Sequence, residues 1–361
     1  MDFISQKYLR HQEIHWLDQE ELLKSKILIV GMGAIGNELL KNFALLGVGY
    51  ITLVDFDTIE IHNLTRSVLF NLKDVGKSKV KVAKEKIKKI NPDIKLKTYA
   101  QDVYDFNFSF FKSFDSIFSV VDNYETRIRL HQLGFLNQID FFNAGIDSQS
   151  ISVEYFPYSK NREVCLECQL DPKIYQNIQK RYSCGWIQRH AFKQKKIPTT
   201  ILTSSFAASF LSSLFVQRKE YREPIRIFLN TKSWNFSYMK SQKNENCYFC
   251  KNWKNPKWIS KTKFLNTLSS LSETTTIFCN EPILISIECS QCHSKEFIFE
   301  LSRKFTDKDL YCKKCGSKIQ NVIVQDSFLK NEIENIKKLQ WKYLYYFDNK
   351  KNQTFLIPNN D

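Results

Sequence analysis

The stretch from Ile27 to Leu40, ILIVGMGAIGNELL, decides the fold because an apolar run leads directly into three closely spaced glycines. The run has the composition of a buried strand, and the residues after the glycines indicate a helix. Gly31, Gly33 and Gly36 give the pattern G-x-G-x-x-G, which allows a tight turn, close backbone approach to phosphate and close helix packing. The N–H groups at the start of the helix then point at the anion. The stretch therefore predicts a strand, a phosphate-binding loop and a helix.

Strand and helix signals continue to alternate along the first part of the chain. Strand-like segments occupy residues 50–56, 94–100, 116–122 and 140–145, and helical segments occupy residues 34–46, 77–90 and 125–137. Apolar strands that alternate with helices indicate a parallel, doubly wound sheet. Residues 148–156 have the alternation of an antiparallel strand, and a helix at 200–217 and a strand at 225–229 follow. The sequence therefore predicts an α/β fold with a Rossmann-like, mostly parallel sheet.

The composition is that of a folded protein, with 43% hydrophobic and 14% aromatic residues among 361. The first residues contain no apolar segment of signal-peptide length. The longest apolar run, Ile201 to Val216, is interrupted by five serines and a threonine and is too short to span a bilayer. We therefore expect a soluble, cytoplasmic protein that does not enter the membrane.

The chain is basic, with 53 lysines and arginines against 38 acidic residues and a formal net charge of +15. Such a surface attracts nucleic acid, anionic lipid or an acidic protein. Abundant lysine, asparagine, isoleucine and phenylalanine also accompany AT-rich coding, so the charge alone has a compositional explanation. No arginine-rich helix or basic tract interleaved with aromatics favours nucleic acid. An acidic protein partner is the alternative that remains.

A second stretch, VDFDTIEIHNLTR from Val54 to Arg66, carries a candidate nucleotide site. Asp55 follows the second strand, where an acid that binds a ribose belongs. Arg66 and Lys79 then place two cations beside the phosphate loop, which suits a triphosphate whose charge must be neutralised while a bond to it breaks. Asp122, after the strand at 116–122, is a carboxylate that can hold Mg²⁺ against phosphate oxygens. The joint pattern favours ATP over a nicotinamide cofactor, whose chemistry occurs at the far ring.

Eight of the ten cysteines fall into four C-x-x-C pairs. Without an export signal, this pattern indicates zinc more often than disulfides. Cys289, Cys292, Cys312 and Cys315 have the spacing C-x₂-C-x₁₉-C-x₂-C of a zinc ribbon. His293 is adjacent and could replace one ligand.

These motifs together resemble the ThiF/MoeB/HesA family, the bacterial relatives of ubiquitin-activating (E1-like) enzymes. The resemblance extends from about Gln6 to Trp253 and rests on GMGAIG, VDFDTIEIHNLTR, DVGKSKV, VVDNYETR, NAG, the CLEC and CYFC pairs and the opening YLRHQ. It implies an adenylyltransferase that uses ATP and Mg²⁺ to activate the C-terminal glycine carboxylate of a small protein. That partner would be a ubiquitin-like or sulfur-carrier protein with a Gly-Gly tail.

The resemblance also implies roles for individual residues. It places ATP at Gly31, Gly33, Gly36, Asp55, Asn63, Arg66, Lys79 and Asp122. Arg10 would reach into the site from the partner subunit of a homodimer, and Arg66 and Lys79 would act on the phosphates. Three positions depart from the family pattern, namely His11, Ser67 and Ser119, so the chain is not a close copy of the molybdopterin or thiamine enzymes.

The resemblance pairs Cys165 and Cys168 with Cys247 and Cys250 as a structural zinc site, and the ribbon would be a second one. Two cysteines are left over. Cys184 lies in a basic stretch where relatives carry a thioester- or persulfide-forming cysteine. Its basic neighbours, Arg181, Arg189, His190 and Lys193, would favour a thiolate. The residues that follow it, Gly185 and Trp186, depart from the usual context, so a transfer nucleophile and an incidental thiol both stay open. Cys279 is expected to be structural.

The sequence predicts an adenylation domain over residues 1–253, a connector over 254–282, and a zinc-ribbon and C-terminal helical region over 283–361. Residues 326–341 repeat apolar side chains at helical spacing, which predicts a helix there. Three alternatives to the adenylation of a carrier protein stay open. These are adenylation of a short peptide terminus in peptide-antibiotic synthesis, an NAD-dependent oxidoreductase and a non-catalytic zinc-binding adaptor.

Overall fold

The architecture is given by a computed structural model of the chain. It describes residues 6–171, 173–174, 198–247, 249–251, 253, 256–304, 309, 311–319, 321–335, 341, 343–348, 351 and 353–358. The chain divides into two compact units. The first contains residues 1–169 and 197–244, and the second contains residues 170–196 and 245–361. The predicted limits of the adenylation domain and the connector stay predictions.

An eight-stranded sheet forms the centre of the first unit. Its strands are β1 Lys26–Val30, β2 Tyr50–Val54, β3 Lys95–Tyr99, β4 Ser116–Ser119, β5 Asp140–Ile146, β6 Ser150–Phe156, β7 Ile225–Asn230 and β8 Asn235–Lys240. They lie in the order β3-β2-β1-β4-β5-β6-β7-β8. Neighbours from β3 to β5 pair in parallel, and those from β5 to β8 pair antiparallel. The predicted Rossmann-like α/β sheet is confirmed.

The register brings the carboxyl ends of the central strands to one edge of the sheet. Val30 of β1 pairs with Val54 of β2 and with Ser119 of β4. Ser119 pairs in turn with Asn143 of β5. The loops that leave β1, β2, β4 and β5 therefore start side by side, as the loops that bind ligands do in open α/β sheets.

Helices alternate with the strands of the first unit. They are α1 Leu9–Gln12, α2 Gln19–Lys24, α3 Ala34–Leu46, α4 Lys79–Ile90, α5 Phe108–Phe111, α6 Tyr124–Asn137 and α7 Ile201–Val216. Helices α3 and α7 pack on the sheet over a core of aromatic rings. Phe118 stacks on Phe142 with centroids 4.5 Å apart, and Phe43 and Phe215 contact Phe118 edge-on at 5.0 and 5.5 Å. This burial of large apolar rings is the dominant stabilising term for the unit.

The serine-interrupted run at 201–216 forms helix α7, which buries Ala207, Ala208 and Leu211 completely. Its serines do not leave unpaired hydroxyls at the contact with α3, because Ser212 donates from Oγ to the Ala208 carbonyl oxygen at 2.7 Å. Among the described residues, no helix has both the length and the apolar character needed to cross a membrane.

Strand β8 was not predicted from the sequence. Its residues, NFSYMK, alternate only weakly, and five of the six are exposed. The strand forms because it completes a hairpin with β7, in which Asn230 pairs with Asn235 and Ile225 with Lys240. Backbone pairing with β7 therefore stabilises this strand, although its side-chain pattern does not predict one.

The second unit contains a six-stranded sheet of its own. Its elements are β9 Lys257–Trp258, α8 Lys261–Thr267, β10 Thr276–Glu288, β11 Lys295–Leu301, β12 Asn321–Leu329, β13 Tyr343–Asp348 and β14 Gln353–Pro358. The order is β11-β10-β13-β14-β9, and β12 also pairs with β10. Strands β10 and β11, which lie before and after Cys292, form an antiparallel pair.

The helix predicted over residues 326–341 is wrong for the part that the structure describes. Residues 326–329 belong to β12, and Lys330–Asn335 form a 3₁₀ helix. Phe328 pairs with Ile277 of β10, and both side chains are buried in the core of the second unit. Beyond the predicted helix, Tyr343–Asp348 and Gln353–Pro358 form β13 and β14. Tertiary pairing has overridden a short helical pattern, as it commonly does.

Candidate functional site

The loop after β1 has the geometry that its glycines predict. Gly31 has a φ of +101°, and a Cβ there would lie 2.7 Å from the Val120 carbonyl oxygen. A Cβ on Gly36 would lie 2.1 Å from the Gly31 carbonyl oxygen. The Gly31 N–H also donates to the Val54 carbonyl oxygen at 3.0 Å. Close packing among β1, β2 and β4 therefore requires glycine at positions 31 and 36.

Gly33 differs from the other two glycines because no atom of the described residues lies within 4 Å of the Cβ that a side chain would add. It is the N-cap residue of α3, and no side chain caps this helix. The first N–H groups of the 13-residue helix are thus left for another acceptor. Open space in front of an uncapped helix N-terminus fits a phosphate group.

Asp55 is fixed against this loop by the backbone. Its Oδ2 accepts the Met32 N–H at 2.6 Å, and its Oδ1 accepts the Asp57 N–H at 2.7 Å. Each carboxylate oxygen keeps a lone pair that a ribose hydroxyl can use. Burial raises the pKa of the Asp55 carboxyl, while the Lys79 ammonium acts in the opposite direction.

Lys79 begins helix α4 and is only 8% exposed. Its Nζ lies 2.7 Å from Oδ2 of Asp57, and its backbone N–H donates to the Asp57 carbonyl oxygen at 3.1 Å. The ammonium is therefore held next to the loop that carries Asp55. Sequence reasoning missed the part of Asp57, although its place two residues after Asp55 was a usable signal.

Asn63 and Arg66 lie in the turn between β2 and α4. Oδ1 of Asn63 accepts the Glu60 N–H at 2.9 Å, which closes a capping box around the 3₁₀ helix Ile61–Asn63. Arg66 is half-buried and donates from its guanidinium to the His62 carbonyl oxygen at 2.7 Å. The part of the chain that the structure describes shows no hydrogen bond from either side chain to Asp55 or Lys79. Both have donors left for an incoming anion.

Asp122 lies in the loop between β4 and α6, next to the phosphate loop. The two loops meet because the Val120 N–H donates to the Val30 carbonyl oxygen at 3.0 Å. The Asp122 side chain is exposed and forms no ion pair with any described residue. An exposed carboxylate at this position retains its full capacity to bind a cation. Ser119, which stands where the family has an acid, is fully buried.

Sequence reasoning missed Arg127, a buried guanidinium in the first turn of α6. It contacts the loop that carries Asp122. The available signal is its place at the end of VVDNYETR, one of the stretches that carry the family resemblance.

Two of the predicted catalytic residues are not brought to this edge by the described structure. Arg10 is exposed on α1, and no other described residue hydrogen-bonds to its side chain. Cys184 and its basic neighbours, Arg181, Arg189, His190 and Lys193, lie outside the described residues. Their roles stay predictions.

The eight paired cysteines form the two sets that the sequence predicts. The first set is Cys165, Cys168, Cys247 and Cys250, and the second is Cys289, Cys292, Cys312 and Cys315. In the second set, all of whose members belong to the second unit, the sulfur atoms lie within 4.8 Å of one another. Four sulfur ligands with no open position are the donor set of a structural zinc site. Both sets could therefore bind zinc.

In the second set, each cysteine of the first C-x-x-C pair contacts one cysteine of the second pair. Sγ of Cys289 lies 3.5 Å from Sγ of Cys315, and Sγ of Cys292 lies 3.5 Å from Sγ of Cys312. The Ser294 hydroxyl lies 3.2 Å from Sγ of Cys312 and lowers the pKa of that thiol to about 6. A thiol with a lowered pKa is readily present as the thiolate that a metal requires. Cys279, expected to be structural, is buried in the core of this unit.

Two named proteins are similar in sequence to part of the chain. SUMO-activating enzyme subunit 2 of Dictyostelium discoideum is 36% identical over 152 residues, which are 42% of this chain and 23% of that protein. A probable molybdopterin-synthase adenylyltransferase of Gracilaria tenuistipitata var. liui is 31% identical over 182 residues, which are 45% of this chain and 50% of that protein. The chain thus spans half or less of the length of these two relatives.

A solved structure shares the fold. E. coli MccB with MccA-N7isoASN matches with a TM-score of 0.55 at 22% identity, over 69% of this chain and 75% of MccB. A sequence model described as the ThiF family matches residues 5–252. Because this match spans well over half of the sequence, the chain belongs to the ThiF family.

Proposed function

We propose that this protein adenylates the C-terminal glycine carboxylate of a small ubiquitin-like or sulfur-carrier protein and uses ATP to do so. The observation that carries the proposal is the ammonium of Lys79, which Asp57 holds at 2.7 Å beside the loop of Asp55 and the phosphate-binding glycines. The printed names of its relatives, an activating enzyme subunit and an adenylyltransferase, support the same class of reaction.

The arrangement suits a triphosphate better than a nicotinamide dinucleotide. A dinucleotide needs the glycine loop and the acid that binds the ribose, which Gly33 and Asp55 supply. Lys79 and Arg66 add two further cations on the chain segment that follows Asp55. Positive charge at this edge neutralises phosphate oxygens while a bond to phosphorus breaks, whereas hydride transfer has no use for it.

Each group would hold one part of the nucleotide. Asp55 would bind the ribose hydroxyls, the N–H groups at the start of α3 would bind phosphate, and Asn63, Arg66 and Lys79 would bind the remaining phosphate oxygens. Asp122 would hold Mg²⁺, which supplies further neutralisation of phosphate charge when it is bound. The carboxylate of Asp122, which is exposed and forms no ion pair with any described residue, fits that cation.

The reaction needs positioning and charge neutralisation more than proton transfer. An oxygen of the ionised carboxylate attacks the α-phosphorus of ATP and forms a new P–O bond. The bond between the α-phosphorus and the oxygen that bridges to the β-phosphate breaks, and pyrophosphate leaves. Since the nucleophile is already an anion, no general base is required.

The acyl-adenylate has two chemically balanced fates. The thiolate of Cys184 can attack its carbonyl carbon, which forms a thioester and releases AMP. Sulfide can instead attack the same carbon, which forms a thiocarboxylate and again releases AMP. We also propose that the protein works as a homodimer in which Arg10 of each subunit reaches the site of its partner. Zinc in both cysteine sets would be structural. The protein would work in the cytoplasm, where thiols stay reduced.

ATP–pyrophosphate exchange tests the proposal. The substrates are candidate small proteins with a β-grasp fold and a Gly-Gly terminus, and the proteins compared are wild type, Arg66→Ala and Cys184→Ala. We expect exchange with wild type and Cys184→Ala and strongly reduced exchange with Arg66→Ala, because exchange requires the adenylate and not the thioester. A thioester assay under non-reducing conditions then separates the two fates.

Other outcomes identify the alternatives. ATP binding without exchange for any carrier would overturn the carrier as substrate and favour a short peptide terminus. Absence of ATP binding would favour a zinc-binding adaptor, and tight NADH binding would favour an oxidoreductase.

A further inference from the structure

We propose that Arg127 is a positioning residue that fixes the loop between β4 and α6, so that Asp122 is held ready to bind Mg²⁺ together with ATP. This inference rests on the proposed function and deepens it. It assigns a role to a buried charge that neither the fold nor the nucleotide contacts explain.

The guanidinium of Arg127 joins the ends of two neighbouring strands. It lies in the first turn of α6 and is 8% exposed. One of its terminal nitrogens donates to Oδ1 of Asn143 at 2.7 Å and to the Ala144 carbonyl oxygen at 2.5 Å, both in β5. The other donates to the carbonyl oxygen of Val121, in the loop that follows β4. One planar group thus connects β5 to this loop at the carboxyl edge of the sheet.

The contact with the Val121 carbonyl oxygen holds the backbone directly before Asp122. The backbone directly after it is held as well, because Oδ1 of Asn123 accepts the Thr126 N–H at 2.8 Å as the N-cap of α6. Asp122 is therefore an exposed side chain between two fixed neighbours. A metal ligand whose backbone is fixed on both sides loses little conformational freedom when it binds the cation.

The guanidinium of Arg127 forms no direct ion pair with any other described residue. Its acceptors are an amide oxygen and two carbonyl oxygens, and burial accordingly lowers the pKa of the guanidinium. Glu154 is connected to Arg127 through Asn143, because Oε2 of Glu154 accepts a hydrogen bond from Nδ2 of Asn143 at 2.7 Å. Glu154 also forms an ion pair with Arg226 at 3.2 Å. Glu154, Tyr124 and Asp122 provide the electrostatic support.

An arginine that served only to stabilise the fold would be better paired with a carboxylate. The chain contains such a residue in Arg218, which is also 8% exposed. Its guanidinium lies 2.5 Å from Oε1 of Glu21 and donates to the carbonyl oxygen of Phe215 at 2.8 Å. Arg127 instead donates to the carbonyl oxygen of Val121, beside Asp122, and to Asn143 and Ala144 of β5. It thereby fixes the loop that carries the proposed metal ligand.

Isothermal titration calorimetry of ATP binding, with and without Mg²⁺, tests this role without relying on turnover. The measured quantity is the ratio of the two dissociation constants for ATP, called here the magnesium gain. The variants are Arg127→Met, Arg127→Lys and Asp122→Asn, together with the double variant Arg127→Met/Asp122→Asn. Arg218→Met is the matched control, because it removes an equally buried guanidinium beside the start of β1, at the opposite edge of the sheet.

We expect Arg127→Met to lower the magnesium gain about tenfold, the usual size of an effect that acts through a metal ligand. Arg127→Lys should lower it less, since an ammonium keeps the charge but not the planar fork. The double variant should match Asp122→Asn alone, because Arg127 acts through that carboxylate. Arg218→Met should lower the melting temperature and leave the magnesium gain unchanged.

An unchanged magnesium gain in a folded Arg127 variant would overturn the inference, and so would additive losses in the double variant. If Arg127→Met does not fold, Arg127→Lys and its combination with Asp122→Asn decide the question in the same way. A wild-type protein that exchanges pyrophosphate but shows no magnesium gain would overturn this inference and leave the proposed function standing. A wild-type protein that does not bind ATP would overturn both.

Discussion

The two edges of the sheet in the first unit use charged residues in opposite ways. At the amino edge, near the start of β1, Arg218 lies 2.5 Å from Glu21, and Lys219 lies 2.6 Å from Glu21 and 3.4 Å from Asp18. Those charges are satisfied by one another. At the carboxyl edge, Asp122 forms no ion pair with any described residue, and each oxygen of Asp55 accepts one N–H from the described backbone.

A ligand site is therefore marked by unused binding capacity and not by the number of its charges. A closed set of ion pairs contributes modestly to stability and offers nothing to a ligand. Groups that are fixed in place but incompletely paired lower the free energy of unfolding. They stabilise the complex when a ligand binds to them. Substitutions at the two edges should therefore affect different quantities, which the following experiments measure.

The largest effect is expected within the glycine loop, where packing and binding can be separated. Gly36→Ala should destabilise the fold by about 3 kcal/mol or more, since its Cβ would lie 2.1 Å from a backbone oxygen. Gly33→Ala is the matched control, because no atom of the described residues lies within 4 Å of its Cβ. It should keep the melting temperature and weaken ATP binding. Thermal unfolding and ATP titration of both variants check this, and unchanged ATP binding by a stable Gly33→Ala variant would mean that the loop has only a packing role.

Lys79→Ala should lower the rate of ATP–pyrophosphate exchange about a hundredfold, the size seen when one charge-stabilising donor is removed from an active site. Lys219→Ala at the amino edge should leave the exchange rate within a factor of two, about 0.4 kcal/mol. The two lysines differ in partner and position, not in charge. Equal rates for the two variants would remove Lys79 from the proposed phosphate site.

Arg218→Met should act on stability alone. It leaves Glu21 with only the Lys219 ammonium and removes a hydrogen bond to the Phe215 carbonyl oxygen, so we expect a loss of about 1–2 kcal/mol in the free energy of unfolding. The maximal exchange rate measured well below the melting temperature should not change. Denaturant unfolding checks the first statement, and a slower exchange rate in the folded variant would contradict the second.

Several features of this site are predictable from the sequence because the residues that form them lie close together along the chain. The glycine loop, Asp55 and the cysteine pairs follow spacing rules that need no knowledge of the fold. Asp57 and Arg127 were missed because their roles depend on which residues the sheet brings beside them, 22 residues away for Lys79 and 17 for Ala144. Strand β8 and the strand that replaced the helix expected after residue 326 were missed for the same reason. Cross-strand partners, not local periodicity, stabilise them.

The smallest effect concerns the cost of keeping Asp55 incompletely paired. Burial raises its pKa above the unfolded value of 3.8, so the folded state holds the proton more tightly than the unfolded chain does. The contribution of Asp55 to stability is therefore full below pH 3.8 and is lost as the pH rises through its folded pKa. We expect the unfolding free energy of wild type, minus that of Asp55→Asn, to fall as the pH increases across this window. A difference that rises with pH would mean that the two N–H bonds and Lys79 outweigh burial, and Asp55 would then resemble the satisfied charges of the amino edge.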